Sequence, residues 1–339
     1  MMFSQMSVGN LGLMGYSPPM SLSLDQVEGT KYFAEKYEII RDLPLVAEKK
    51  IILSDSNDKS VRVCRFCGLS KPAVTFHRKA HAISEFFGNK SILSQNECDT
   101  CNEYLAQHCE DDLSKWFGPL RAATRMKGKG GMPTYKADGI RIEEGPHGIS
   151  ISVTKPIGDM GISEDGPFTF TLPVATPSQP FIPINAAKAL VKMACSLVSP
   201  SELKECKQAI DWVRGRMVAK MSRFPVLFAF TPGANPYVIG KALVLRRKVN
   251  EPIPYLYCII ASSNVRFQFF VPFCPSDMPP DKKEVTFSLR HFPFPFGDDW
   301  PHGKTKFGML NWAGQESIVV TPEVSFHVEK AVRQNSPEK

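Results

Sequence analysis

The chain has no apolar run near the ~20 residues that a membrane-crossing helix needs, and its opening residues lack the basic stretch that begins a secretory signal. A cytoplasmic protein with no membrane partner is the expectation. No internal repeat is found, which excludes a solenoid or propeller. Acid is in shorter supply than base, with 34 Asp and Glu against 41 Lys and Arg. That imbalance points to a polyanionic partner and equally serves solubility. Lys127-Gly128-Lys129-Gly130-Gly131 lacks the spacing and following helix of a P-loop, so it reads as a flexible basic linker or a phosphate-touching loop. The nine cysteines are an odd number, unlike a secreted disulfide framework.

Four of those cysteines form Cys-x-x-Cys pairs, Cys64/Cys67 and Cys98/Cys101. Two thiolates hold zinc poorly, whereas four at this spacing suit a closed tetrahedral structural site. Cys109, Cys195, Cys206, Cys258 and Cys274 lie among apolar neighbours and read as buried free thiols. His81, between the knuckles, and Asn102, directly after the last cysteine, are left outside the zinc count.

The pattern CxxC, then His81-Ala82-Ile83-x-Glu85-x-x-Gly88-Asn89, then Cys98-Asp99-x-Cys101-Asn102 resembles the HNH family of nucleases, with its zinc-bearing ββα-metal fold. The resemblance covers residues 61–130, about a fifth of the chain. It implies a hairpin carrying the catalytic histidine, a helix behind it carrying a histidine or asparagine, and structural zinc pinning the two. By that resemblance His81 is the general base and Asn102 a ligand of a catalytic Mg2+ or Mn2+. Neutral imidazole is matched to deprotonating water near neutral pH. Asparagine is also a favoured helix N-cap, and that reading of Asn102 stands beside the first. Glu85 and Asn89 complete the candidate catalytic set, Asn89 as support for the loop that carries His81. The family usually carries an acid where this chain has Ala80, and proline where it has Ser84. A hard cation wants oxygen ligands, so Glu85, Glu103 or water must fill the place of that acid. His77 and His108 are read as incidental.

The organisation follows from composition and periodicity. Residues 1–60 read as a flexible amino-terminal arm with one short helix over Thr30–Val46 and a strand at Lys49–Leu53. Residues 61–130 are the zinc module, with a strand over Thr75–His81 and a helix over Glu97–Trp116. Residues 131–175 read as a linker whose alternation at 148–172 predicts a hairpin. Residues 176–335 open with helices over Asn185–Val198 and from a Ser199–Glu202 capping box to Met217. Turn-punctuated strands follow at 224–230, 237–246, 255–261, 265–273 and 317–328. The fold class is therefore α+β: a zinc-stapled ββα-metal, HNH-like module and a carboxy-terminal α+β domain with a mostly antiparallel sheet. The aromatic loop His291–His302 reads as core cover, with base stacking as its functional alternative.

The expected function is metal-dependent endonucleolytic hydrolysis of DNA, with the carboxy-terminal domain recognising substrate, a protein partner or an activating ligand. The alternative is a catalytically inactive, zinc-stabilised nucleic-acid-binding or interaction subunit. The resemblance further implies a setting such as bacterial anti-phage defence.

Overall fold

Residues 183–197 read PINAAKALVKMACSL, apolar apart from Asn185, Lys188, Lys192 and Ser196, and a helix of that composition is expected to be mostly buried. The computed structural model of the chain bears this out. It describes residues 6–12, 26–56, 58, 61–126, 131–137, 140–145, 148–153, 168–173, 179–219, 221–233, 235–278, 286–293, 302, 304–320 and 323–328.

The amino-terminal part holds β1 (Met6–Gly12), α1 (Gln26–Lys36), β2 (Tyr37–Pro44) and β3 (Ile51–Leu53). The cysteine-bearing part holds β4 (Ala80–His81), β5 (Ile92–Ser94), α2 (Asp99–Leu105) and α3 (Asp111–Ala123), the two helices joined through one wide π turn at Ala106–Glu110. After it come β6 (Tyr135–Ala137), β7 (Ile140–Gly145), β8 (Gly148–Val153) and β9 (Phe168–Pro173). The carboxy-terminal part holds α4 (Pro183–Leu197), α5 (Lys207–Val213), β10 (Pro225–Phe230), β11 (Tyr237–Arg247), β12 (Leu256–Ser263), β13 (Val265–Phe270), β14 (Lys306–Asn311) and β15 (Glu323–Val328).

The main sheet runs β14-β10-β13-β12-β11-β2, every pair antiparallel. Its centre is dry: all eight residues of β12 and all six of β13 are buried. The small site sheet runs β3-β5-β4, with β3 parallel to β5 and β4 antiparallel to it. No helix among the described residues is long and apolar enough to cross a membrane.

Helix α4 lies between α3 and β13 and is pinned along its length. Pro183 opens it at a position where no N–H is needed. Asp112 of α3 accepts from Ile182 N at 2.9 Å and Asn185 Nδ2 at 2.8 Å at that same end. At the other end Arg65, inside the first knuckle, donates to the carbonyls of Cys195 (2.8 Å) and Ser196 (3.2 Å), and Arg41 donates to Leu197 O at 3.1 Å. Cations at a helix carboxy terminus meet the negative end of its dipole.

An aromatic seam joins the cysteine-bearing part to the main sheet. Phe87 meets Phe267 with ring centroids 5.5 Å apart, and Phe117 meets Phe267 at 5.7 Å. Trp116 sits 5.9 Å from Phe228 and 5.2 Å from Trp312, both edge-on. Edge-to-face pairs add modestly to the burial of such rings.

Several expectations are corrected. The helix expected over Thr30–Val46 ends at Lys36, and residues 37–44 become β2, because pairing with β11 outweighs a short helical period. Residues 6–12, expected in a flexible arm, pair with β15. The 148–172 stretch is not one hairpin: β8 pairs with β7, and β9 with β15. The Ser199–Glu202 capping box does not form, since Glu202 turns to Arg246 and to Tyr255 Oη, 3.0 Å away. Residues 127–130 of the basic linker lie outside the described residues.

Candidate active site

The first knuckle turns at Gly68, whose φ of +75° is a left-handed conformation that glycine adopts without strain. Its N–H donates to Cys64 O at 2.8 Å, and a Val63–Ser70 bridge closes the loop. The second knuckle opens α2, with Cys98 as the N-cap and its sulfur accepting from Cys101 N at 3.4 Å. All four sulfurs lie within 4.8 Å of one another, and Cys67 Sγ is 3.8 Å from Cys98 Sγ. Zinc–sulfur bonds of about 2.3 Å at tetrahedral angles put sulfurs roughly 3.8 Å apart, so the cluster fits zinc.

A hydrogen bond from Cys101 leads in drawing the Cys64 thiol down to about 5, and the same contact pushes Cys101 up. Burial pushes Cys98 up to about 11. The remaining five cysteines are buried and free, as expected.

The hairpin is built against this staple. Asp99, in the first turn of α2, accepts from Thr75 Oγ1 at 2.6 Å, His77 N at 3.0 Å and Arg78 N at 2.8 Å. Burial works against its charged form, but those hydrogen bonds outweigh it and hold the carboxyl below its usual range. They also spend the backbone donors that a long strand would use. That is why the strand expected over Thr75–His81 shrinks to Ala80–His81.

His81 is half-buried on the edge strand β4, opposite Leu93 of β5. Its Nε2 lies 3.6 Å from Glu85 Oε1, ion-pair distance and beyond a hydrogen bond. Burial lowers the imidazole below the ordinary histidine range. Glu85 and Glu110 oppose that shift, and Lys192 and Lys50 reinforce it. The imidazole is therefore neutral near neutral pH. Glu85 stands on a single 3-10 turn, Glu85–Phe87, closed by Gly88 at φ +78°.

Asn89 is fully buried, and its amide is spent inside the loop. It donates to Ile83 O (2.7 Å) and Ile92 O (3.0 Å) and accepts from Ser91 N (3.1 Å) and Ile92 N (2.9 Å). It supports the loop and presents no group to a substrate. Asn102 is half-exposed, three residues past the first of α2, so Cys98 and not Asn102 caps the helix. Its side chain makes no hydrogen bond among the described residues, which leaves the amide oxygen available to a cation.

Ala80 is buried, facing away from His81 as alternation along a strand requires. Glu103 is turned to Arg78 at 3.2 Å. Of the carboxylates considered for the vacant acid position, Glu85 is the one beside the imidazole. Exposed Lys50, Arg78, Lys79 and Lys90 flank the hairpin. His77 is exposed, and His108 packs its ring 4.4 Å from Tyr104. His291 is buried against Phe307, with burial pushing it down to about 3, so it is core. Residues 294–301 of that aromatic loop, including Asp298 and Asp299, lie outside the described residues.

Sequence reasoning missed Lys192, whose ammonium contacts the His81 carbonyl from α4. Its place between Val191 and Met193 in a mostly apolar helix that also carries Lys188 was the available signal. The strand expected at Lys49–Leu53 forms as β3, but its parallel pairing with β5, which adds a third strand to the hairpin, was not foreseen.

Comparison with the curated proteins and with the solved structures returned no match. The knuckles, the hairpin histidine and the helix behind them coincide with one finding: residues 64–118 match the family model described as HNH endonuclease.

Proposed function

We propose that the chain is a metal-dependent endonuclease that hydrolyses phosphodiester bonds in DNA, with His81 as general base. The observation that carries this reading is the neutral, half-buried imidazole 3.6 Å from Glu85, on a hairpin held against a four-cysteine cluster.

Glu85 stands at Nε2, so Nδ1 is the nitrogen left to take a proton from the attacking water. The imidazolium that forms is steadied by the Glu85 carboxylate. The water oxygen bonds to phosphorus, and the ester oxygen leaves with its electron pair and then a proton. Lys50, Arg78, Lys79 and Lys90 hold the flanking phosphates as point charges and donors.

Among the described residues the four cysteines are the only group of three or more His, Cys, Asp or Glu with converging ligand atoms. A catalytic cation would thus depend on Asn102 together with phosphate oxygens and water. That sparse set suits magnesium or manganese, which commonly take few protein ligands beside phosphate. When bound, such an ion offsets charge on the phosphate and the leaving oxygen. The carboxy-terminal sheet is assigned the recognition of substrate or partner.

The test incubates full-length protein with supercoiled plasmid and Mg2+ or Mn2+. His81→Ala is expected to lower turnover by roughly a hundredfold or more, with zinc content and DNA affinity unchanged. If wild type and His81→Ala are equally inactive across Mg2+, Mn2+ and Ni2+ while DNA stays bound, the nucleic-acid-binding alternative replaces this reading.

A further inference from the structure

A two-residue edge strand is a weak mount for a general base, because one of its sides has no ladder. Here β4 is the outer strand of β3-β5-β4, and the carbonyl of His81 is received by a residue from another part of the chain. Lys192, midway along α4, donates from Nζ to His81 O at 3.1 Å. The same ammonium lies 3.1 Å from Glu97 Oε2 and 3.1 Å from Glu110 Oε1. A lysine ammonium has three protons, and three acceptors converge on it.

We propose that Lys192 is a positioning residue for the hydrolytic site: it fixes the His81 backbone, and so the aim of the imidazole, against α4. The assignment rests on His81 being the general base. Lys192 is only 1% exposed, so it cannot touch a phosphodiester itself. Its acceptors explain what it connects. Glu97 precedes Cys98 of the second knuckle, and Glu110 closes the π turn between α2 and α3. One buried ammonium therefore references the histidine to the zinc staple, to the helix behind the hairpin and to α4.

The energetics favour a geometric role over a stabilising one. Taking an ammonium and a carboxylate out of water costs about as much as their attraction returns, and well-packed apolar replacements are often neutral. Glu97 is buried, and the Lys192 ammonium 3.1 Å away is what offsets its carboxylate. What an apolar side chain could not replace is the donor to His81 O.

Lys192→Met alone leaves two carboxylates facing a lost cation and can fail to fold. The informative variant is Lys192→Met/Glu97→Gln, which removes the fully buried charges together and leaves Glu110 its partial exposure. It is expected to keep its zinc and melting transition, to hold KM for plasmid within about twofold of wild type, and to lose roughly a hundredfold in kcat. A merely structural role would not produce that split. A second readout needs no turnover. In protein labelled with 15N-histidine, the His81 ring resonances are expected to shift in the double variant, with the other histidines unmoved.

A folded double variant with wild-type kcat, or with unmoved His81 resonances, overturns the proposal. The two failures are distinguishable. If wild type does not cut, the general-base reading falls and the resonances alone decide whether Lys192 holds the ring. If wild type cuts and His81→Ala does not, only the double variant bears on Lys192.

Discussion

The cysteine-bearing part and the main sheet reach a fixed structure by opposite means. In the first, the strands are two or three residues long and much of the backbone is turn. Its order comes from a sulfur cluster, from Asp99 and Asn89 collecting backbone groups, and from buried charges. In the second, β12 and β13 are fully buried strands at the centre of a six-stranded antiparallel sheet, and their polar side chains Ser262, Ser263, Arg266 and Gln268 are hydrogen-bonded within the fold. The comparison teaches where chemistry can be placed. The short, polar part around the four cysteines leaves side chains such as His81 and Asn102 half-exposed. The dry sheet gives those groups something rigid to lean on through Phe87, Trp116 and Phe117.

Removing the metal should break the comparison most completely. Structural zinc is worth about 10–16 kcal/mol in small domains. Chelation or Cys98→Ser is expected to unfold residues 61–126 and strip the cover from Phe267, checked by zinc analysis and calorimetry. A folded Cys98→Ser protein with wild-type melting would refute the staple. Next in size is the seam. Phe267→Ala deletes a ring that touches Phe87, Trp116, Phe117 and Phe228, and is expected to cost about 3–5 kcal/mol. Calorimetry should show one transition moving as a whole; two separating transitions would mean the parts fold independently.

A different kind of effect, on association, is expected from deleting residues 1–175, which also strips Phe87, Trp116 and Phe117 from Phe267. That truncation removes β2 and exposes the β11 edge, where Ala242 and Val244 are buried in the intact chain. The fragment should associate more strongly than the whole chain at the same concentration, which light scattering reads.

The smallest effects concern the pH profile, and their signs are fixed by charge. The Glu85 carboxylate raises the His81 pKa, so Glu85→Gln should move the acid limb of kcat/KM to lower pH. Lys50 lowers it, so Lys50→Met should move the limb up. Lys192 and Glu110 face the same ring with opposite signs and stay in place in both variants. Limbs that move together, or against these directions, would show that His81 is not the titrating base.

The cysteine cluster was legible because ligand chemistry dictates residue type and spacing locally: Cys64, Cys67, Cys98 and Cys101 could be read without knowing the fold, whereas His81 was singled out only by the family resemblance. Strands β10 to β13 of the main sheet were legible as turn-punctuated runs rich in apolar and aromatic residues, whereas β2 and β14 were not. What escaped is non-local. Residues 37–44 carry a plausible helical period, and only the distant β11 makes them a strand. Ser199 and Glu202 have capping-box spacing, yet Arg246 offers Glu202 a charged partner that the Ser199 N–H cannot match. Lys192 reads as an odd residue in a mostly apolar helix until Glu97, Glu110 and the His81 carbonyl are brought around it. Ala80 looked like a missing acid, but its place under the sheet means that an aspartate there would be desolvated, so Ala80→Asp should lower stability.

The seam of Phe87, Trp116 and Phe117 against Phe228 and Phe267 bears on inheritance. A compact catalytic cassette is ordinarily something that recombination can move between genes. Here a transfer of residues 64–118 alone would carry the chemistry away from half of its aromatic packing, from α4 and from β3. The recipient would have to supply matching rings and a matching lysine at once. Descendants of this chain should therefore keep the two parts on one gene, with substitutions at Phe87, Phe117 and Phe267 arising as correlated sets.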